Sequence, residues 1–170
     1  MTLQEIPSES FRERSIPVLE TERLVLRAPR LGDAKTVAML ANDRRIAENT
    51  ARLPHPYRVA DAEDFIATAN FGNETVFFIT LRNGTLIGAC GYTQVDRHPP
   101  EIGYWLGVKH WGKGYATEAV RAILRWAETP TTCIIHPENT SSLRVAAKCG
   151  YQERCRTTYK GEPTVLLTRP

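Results

Sequence analysis

Between Glu101 and Ala119 the chain reads Glu-Ile-Gly-Tyr-Trp-Leu-Gly-Val-Lys-His-Trp-Gly-Lys-Gly-Tyr-Ala-Thr-Glu-Ala. A β-favouring segment, Glu101 to Gly107, gives way to a glycine-punctuated loop. A helix follows from about Lys113 to Glu128, because Ala116, Ala119, Val120, Ile123 and Ala127 share one face with Arg121 and Arg125 opposite. The start of a helix presents unpaired N–H groups and a partial positive charge, and glycines at 112 and 114 let an anion approach that backbone closely. The chemistry this implies is phosphate binding. Three phosphate motifs compete for the stretch. Gly107-x-x-x-x-Gly112-Lys113 nearly matches a P-loop, but Gly114 stands where a Ser or Thr hydroxyl should hold magnesium. Gly112-x-Gly114 opens a dinucleotide fingerprint, but Thr117 occupies the place of its third glycine, and a β-meander precedes it in place of a parallel βαβ unit. The bland alternative is a tight strand-to-helix turn with no ligand.

The third motif is carried by a resemblance. Lys109-His110-Trp111-Gly112-Lys113-Gly114 resembles the Gln/Arg-x-x-Gly-x-Gly/Ala coenzyme-A pyrophosphate loop of the GNAT superfamily of N-acetyltransferases, with Lys109 in place of Gln or Arg. Asn139-Thr-Ser-Ser142-Leu-Arg-Val-Ala-Ala-Lys148-Cys-Gly150-Tyr151 resembles the helix that lies along the pantetheine arm in that family. Thr21-Glu22-Arg23-Leu24-Val25-Leu26-Arg27 with Asp33, and the Glu101 to Ala119 text, look like the Rim-type branch, the ribosomal-protein N-terminal acetyltransferases and their relatives. The resemblance runs from about Val18 to Thr168. It implies an α+β domain, with a central, twisted, mostly antiparallel sheet of about seven strands flanked by helices and splayed at an acetyl-CoA slot. It also implies an acetyl-CoA-dependent N-acetyltransferase that moves acetyl to a primary amine, of a protein N-terminus or a small molecule, by direct attack in a ternary complex. Coenzyme contacts are then expected at Leu106, Gly107, Lys109, Trp111, Gly112, Lys113, Gly114, Tyr115, Ala116, Thr117, Asn139, Ser142 and Lys148, with no metal.

Acetyl transfer from a thioester to an amine needs a polarised carbonyl, a neutral amine and a protonated leaving thiolate. A break in the strand near Leu106 and Gly107 frees the Leu106 amide as an oxyanion donor, a contribution of about 3 kcal/mol in known cases. For the base, Glu101 stands at the entry to the same strand, with Glu162 in the last hairpin as its rival. The tyrosine that many superfamily members use as acid falls, on the resemblance, at Ala146, so Ser142 is the remaining hydroxyl. Ser142 could instead serve only the helix cap with Asn139, and Glu101 could be a plain surface carboxylate. His110 and Lys113 are expected to add charge at the phosphate site, Trp105 and Trp111 to pack around the loop, and His55 and His136 to be isolated. The competing class of function is a binding module for acyl-CoA or a nucleotide phosphate, without catalysis.

These residues need elements to hold them. Leu24 and Leu26 alternate with Arg23, Val25 and Arg27, a first strand. Ala34, Val37, Ala38, Ala41 and then Ala62, Phe65, Ile66, Ala69 mark two short helices, with Leu53 to Tyr57 as loop between them. Thr75 to Leu81 and Thr85 to Tyr92 flank Asn83-Gly84, which predicts a hairpin with two positive-φ residues, and Pro99 and Pro100 end its second arm. After the glycine loop and its helix come a strand from Thr131 to His136, a helix from Thr140 to Cys149 stopped by Gly150, and strands Gln152 to Tyr159 and Thr164 to Thr168 joined by Lys160 to Pro163. The segments 49 to 57 and 160 to 163 are expected to flank the acceptor groove.

The chain of 170 residues carries a net charge of +3, too balanced to expect nucleic acid as a partner, and no run approaches the ~20 apolar residues of a membrane span. One domain from residue 18 to 170, preceded by a flexible arm over 1–17, is expected, with a cytoplasmic location. A homodimer stays open. Cys90, Cys133, Cys149 and Cys155 form no C-x-x-C pair and read as reduced core thiols.

Overall fold

The computed structural model describes residues 15–50 and 52–170. Of the expected arm, residues 1–14 lie outside the described residues; Ile16 packs against the core. Eight strands form one sheet in the order β1-β2-β3-β4-β5-β6-β8-β7. They are β1 (Leu19–Glu20), β2 (Leu24–Arg27), β3 (Glu74–Leu81), β4 (Leu86–Val95), β5 (His98–Leu106), β6 (Thr131–Ile135), β7 (Gln152–Tyr159) and β8 (Glu162–Arg169). The helices are α1 (Ala34–Ala41), α2 (Arg44–Glu48), α3 (Val59–Thr68), α4 (Tyr115–Ala127) and α5 (Thr140–Lys148). All pairings are antiparallel except β5 with β6, which run parallel. The strand beyond the expected seven is β1, two residues that pair Leu19 with Leu26.

Helices cover both faces, so β3 is apolar on both. Phe77 and Ile79 join the core beneath α4 and α5, while Val76 and Phe78 join the core beneath α1 and α3. On α4 the predicted stripe Ala116, Ala119, Val120 and Ile123 is buried, and Arg121 and Arg125 are exposed.

Four sequence expectations need correction. Pro99 and Pro100 open β5 instead of closing β4, because the turn is made earlier at Asp96-Arg97, where Arg97 has φ 60°. The prolines lie before the β5–β6 contact, where no ladder partner asks for their missing N–H. Asn83-Gly84 makes the hairpin with positive φ at Gly84 alone, and the Asn83 side chain accepts from Thr85 N–H at 3.0 Å. Lys160-Gly161 has positive φ at both residues, a two-residue turn, so Glu162 and Pro163 belong to β8. Cys155 is exposed on β7, whereas Cys90, Cys133 and Cys149 are buried; all four thiols are free.

Candidate active site

The glycine loop joins β5 to α4 through a short 3-10 turn at Val108–His110. Gly112 has φ 71° and Gly114, the residue before the helix, has φ 81°, conformations that a side chain strains. The first turn of α4 (Tyr115, Ala116, Thr117), both glycines, Leu106 and Trp111 line a cavity of about 470 Å³. Asn139, Ser142 and Lys148 of α5 line its other side. Ten of the thirteen expected coenzyme residues are thereby brought together. The other three, Gly107, Lys109 and Lys113, are not part of that wall. A Cβ at Gly107 would stand 2.7 Å from Leu40 Cδ2, so this glycine lets β5 end flush against α1.

The loop is clamped from β2. The Arg23 guanidinium donates to the Lys113 carbonyl at 2.8 Å and to Glu118 Oε2 at 2.7 Å. Arg23 N–H and the Thr21 hydroxyl both donate to Glu118 Oε1, at 2.8 and 2.6 Å. The guanidinium also lies 4.8 Å from the centre of the Tyr115 ring. These donors hold the Glu118 carboxyl below its ordinary range against the upward push of its partial burial. This clamp joins two motifs that the sequence presents as separate, Thr-Glu-Arg-Leu and Tyr-Ala-Thr-Glu.

His110 corrects an expectation. It is buried, its Nε2 has no hydrogen-bond partner, and burial together with Lys109 and Lys113 lowers its pKa, so at neutral pH it adds no charge. Its unpartnered nitrogen belongs to a residue of the cavity wall. The positive φ at two glycines, a helix start and an orphaned imidazole make a wall that fits an anionic, partly polar guest such as the coenzyme's pyrophosphate.

The Leu106 amide is freed by ladder parity, not by a bulge. Gly107 N–H donates to Ile87 O at 2.9 Å, on the β4 side. Successive residues of an antiparallel strand face opposite neighbours, so the N–H and C=O of Leu106 point away from β4. On that side the Leu106 carbonyl accepts from Trp111 Nε1 at 2.8 Å. β5 and β6 pair in register at Glu101↔Thr132, and no register pair joins them nearer Leu106. The irregularity in the β4–β5 register lies between Thr93 and Val95, far from Leu106.

A second cavity of about 990 Å³ adjoins the first along α5. Glu101 and Glu162 both line it, as do Asn49, Thr50, Arg52 and Leu53 of the expected segment 49 to 57, and Lys160 and Pro163 of the expected segment 160 to 163. The two carboxylates differ. Glu101 is half-buried, and burial, aided by Glu74 and opposed by Arg52, raises its pKa; Glu162 is exposed. His136 belongs to this wall, and its Nδ1 accepts from Glu138 N–H at 3.2 Å, whereas His55 is exposed. The short helix α2, absent from the sequence reading, supplies Ala47 and Glu48 to this wall.

Tyr104, Ser142 and Asn139 are among eight residues that line both cavities. Asn139 Oδ1 accepts from Ser142 N–H at 3.1 Å, the ordinary cap of α5. The Ser142 hydroxyl is therefore not the cap. It accepts from the Tyr104 hydroxyl at 3.1 Å, a contact between β5 and α5 that sequence reasoning missed. Burial pushes the Tyr104 pKa up to about 12.

Residues 23–152 match the family described as Acetyltransferase (GNAT) domain. The chain belongs to the GNAT acetyltransferases. It is 32% identical over 147 residues to an uncharacterized N-acetyltransferase, p20, of Bacillus licheniformis, spanning 79% of this chain and 82% of that one. In fold it is similar to RimL, a ribosomal L7/L12 alpha-N-protein acetyltransferase solved with coenzyme A, with a TM-score of 0.79 and 14% identity over 90% of this chain and 97% of that one. It is likewise similar to the microcin C7 self-immunity acetyltransferase MccE, solved with acetyl-CoA and AMP, with a TM-score of 0.77 and 19% identity over 88% of this chain and 93% of that one. As a GNAT enzyme the chain is an acetyltransferase whose acetyl donor is acetyl-CoA. Among the described residues no helix is long and apolar enough to cross a membrane, and no group of three or more His, Cys, Asp or Glu side chains is placed to hold a metal.

Proposed function

We propose that this enzyme transfers acetyl from acetyl-CoA to a primary amine by direct attack in a ternary complex. The observation that carries this reading is the meeting of two cavities at Tyr104 and Ser142, one walled by a helix start and the other by a half-buried carboxylate. Backbone N–H groups of Gly112, Gly114 and the first turn of α4 would hold the pyrophosphate, and α5 from Asn139 to Lys148 would run beside the pantetheine arm. The coenzyme supplies an activated acetyl thioester. The Leu106 N–H donates to the charge that develops on the thioester oxygen.

Glu101 takes the amine proton. Five residues of strand separate Glu101 from Leu106, about 16 Å at ~3.3 Å per residue, so the proton passes through water in the second cavity. Ser142, at the junction, gives its proton to the departing sulfur. Glu162 is exposed and assigned to the acceptor wall.

An amine is supported as acceptor by charge. The second cavity is lined by Glu48, Glu74, Glu101, Glu138 and Glu162 against Arg52 and Lys160, which draws in a cation. The Rim-type placement rests on the Thr21 to Arg27 and Glu101 to Ala119 motifs and on the RimL-like fold. The test is thiol release from acetyl-CoA with a panel of amines that spans peptides with free N-termini, polyamines and aminoglycosides, followed by initial-rate kinetics on the best acceptor. Intersecting rate patterns and acetylated product are expected. Parallel patterns would overturn direct attack, and coenzyme binding without transfer to any amine would leave a binding module.

A further inference from the structure

The Tyr104 hydroxyl has no place in the three roles just assigned, yet it lies on the wall common to both cavities. It reaches Ser142 Oγ at 3.1 Å from β5, while Ala146, one turn further along α5, is buried and carries no hydroxyl. The direction of this hydrogen bond matters. A serine hydroxyl has one proton and two lone pairs. Because Tyr104 donates to the oxygen, the Ser142 proton is left free for another acceptor, and Ser142 lines both cavities.

We propose that Tyr104 is a positioning residue for proton delivery: its O–H fixes Ser142 Oγ as an acceptor on one side, so that Ser142 presents its proton to the departing sulfur on the other. This rests on the reading of Ser142 as the acid. As the C–S bond breaks and the C–N bond forms, the Ser142 proton moves to sulfur, and the charge left on Oγ is met by the Tyr104 O–H. Water in the adjoining cavity restores the Ser142 proton, while the proton lost by the amine leaves through Glu101. An alcohol is a weaker acid than a phenol, so a Tyr104 O–H already directed at Oγ lowers the cost of the charge that develops there as the Ser142 proton leaves.

The experiment compares Tyr104→Phe, Ser142→Ala and the double variant on the best acceptor. Tyr104→Phe is expected to lower kcat about tenfold with the KM for acetyl-CoA within about twofold. The double variant is expected to be no slower than Ser142→Ala, because a residue that acts only through Ser142 has nothing left to do. A merely structural role would slow the enzyme in both backgrounds, and such additivity overturns the proposal. So does a Tyr104→Phe enzyme with undiminished kcat beside an impaired Ser142→Ala. If Ser142→Ala itself keeps full turnover, the reading of Ser142 as acid falls first. Should Tyr104→Phe fail to fold, a difluorotyrosine at 104 keeps the ring and alters only the O–H; kcat unchanged there also overturns the proposal.

Discussion

The two cavities that meet at Ser142 are built from different materials. The smaller one owes one whole wall to main chain: glycines in left-handed conformations and the first turn of α4, tied down by the Arg23–Glu118 clamp, next to the Leu106 end of β5. The larger one is walled by residues of ten different elements, with carboxylates on several of them and the exposed β7–β8 hairpin at its edge. A wall of N–H groups recognises any ligand with the same phosphates. A wall of side chains can be rewritten residue by residue without disturbing the fold. The coenzyme half should therefore be intolerant of change and the acceptor half permissive, except where a side chain takes part in the chemistry.

The sharpest test of that division is the pair of carboxylates in the permissive half. Glu101→Gln should lower kcat/KM about a hundredfold at neutral pH, and activity should recover as pH rises toward the acceptor's own pKa, where free amine appears unaided. In the parent enzyme Glu101 must be ionised to act, so its raised pKa predicts an acid limb above the ordinary carboxylate range, and this limb should vanish in the variant. Glu162→Gln should alter the KM for the acceptor and leave the limb in place. If the two variants exchange these phenotypes, the base has been misassigned.

On the coenzyme side, Gly112→Val should weaken acetyl-CoA binding about thirtyfold, ~2 kcal/mol, measured by calorimetry, with the acceptor KM unchanged. Open space surrounds a Cβ at Gly112, so the cost is one of φ and of anion approach and not of packing. Equal damage to both substrates would erase the division. Arg23→Ala should raise the KM for acetyl-CoA about tenfold while S-acetylpantetheine, which lacks the pyrophosphate, is used as before. A general loosening of β2 would penalise both donors alike. The smallest effect concerns stability. Because the folded-state pKa of Glu101 is raised, its ionisation costs stability as pH climbs from the unfolded value of about 4.3 through the folded one. Glu101→Gln should flatten that decline in a pH series of thermal melts, and an unchanged slope would mean the carboxylate is as well solvated as Glu162.

The main-chain half of the site was legible because its requirements are written in residue types. Gly112, Gly114 and the stripe from Ala116 to Ala127 announce a loop and a helix, and Asn139 announces a cap. The side-chain half was not. Tyr104 and Ser142 are 38 residues apart, and no periodicity of either segment signals that their hydroxyls meet. The helix α2 escaped because Arg44–Glu48 buries only Ile46, too little to write a helical period. His110 was misjudged because its type suggests charge, while its burial, set by packing against Gly107 and Tyr115, removes it. Lys160-Gly161 and the two prolines moved strand ends by a few residues, since a turn is fixed by backbone angles that several residue types share.

The clamp from Arg23 to Glu118 spans 95 residues of chain. Contacts of that separation form only after much of the intervening loop entropy has been surrendered, late in the folding of a polypeptide. The glycine loop is therefore clamped only in molecules in which the short strand β2 has already docked beside β3. Acetyl-CoA, by mass action, then favours fully assembled chains over nearly assembled ones, so that the enzyme's own substrate acts as an inspector of its folding.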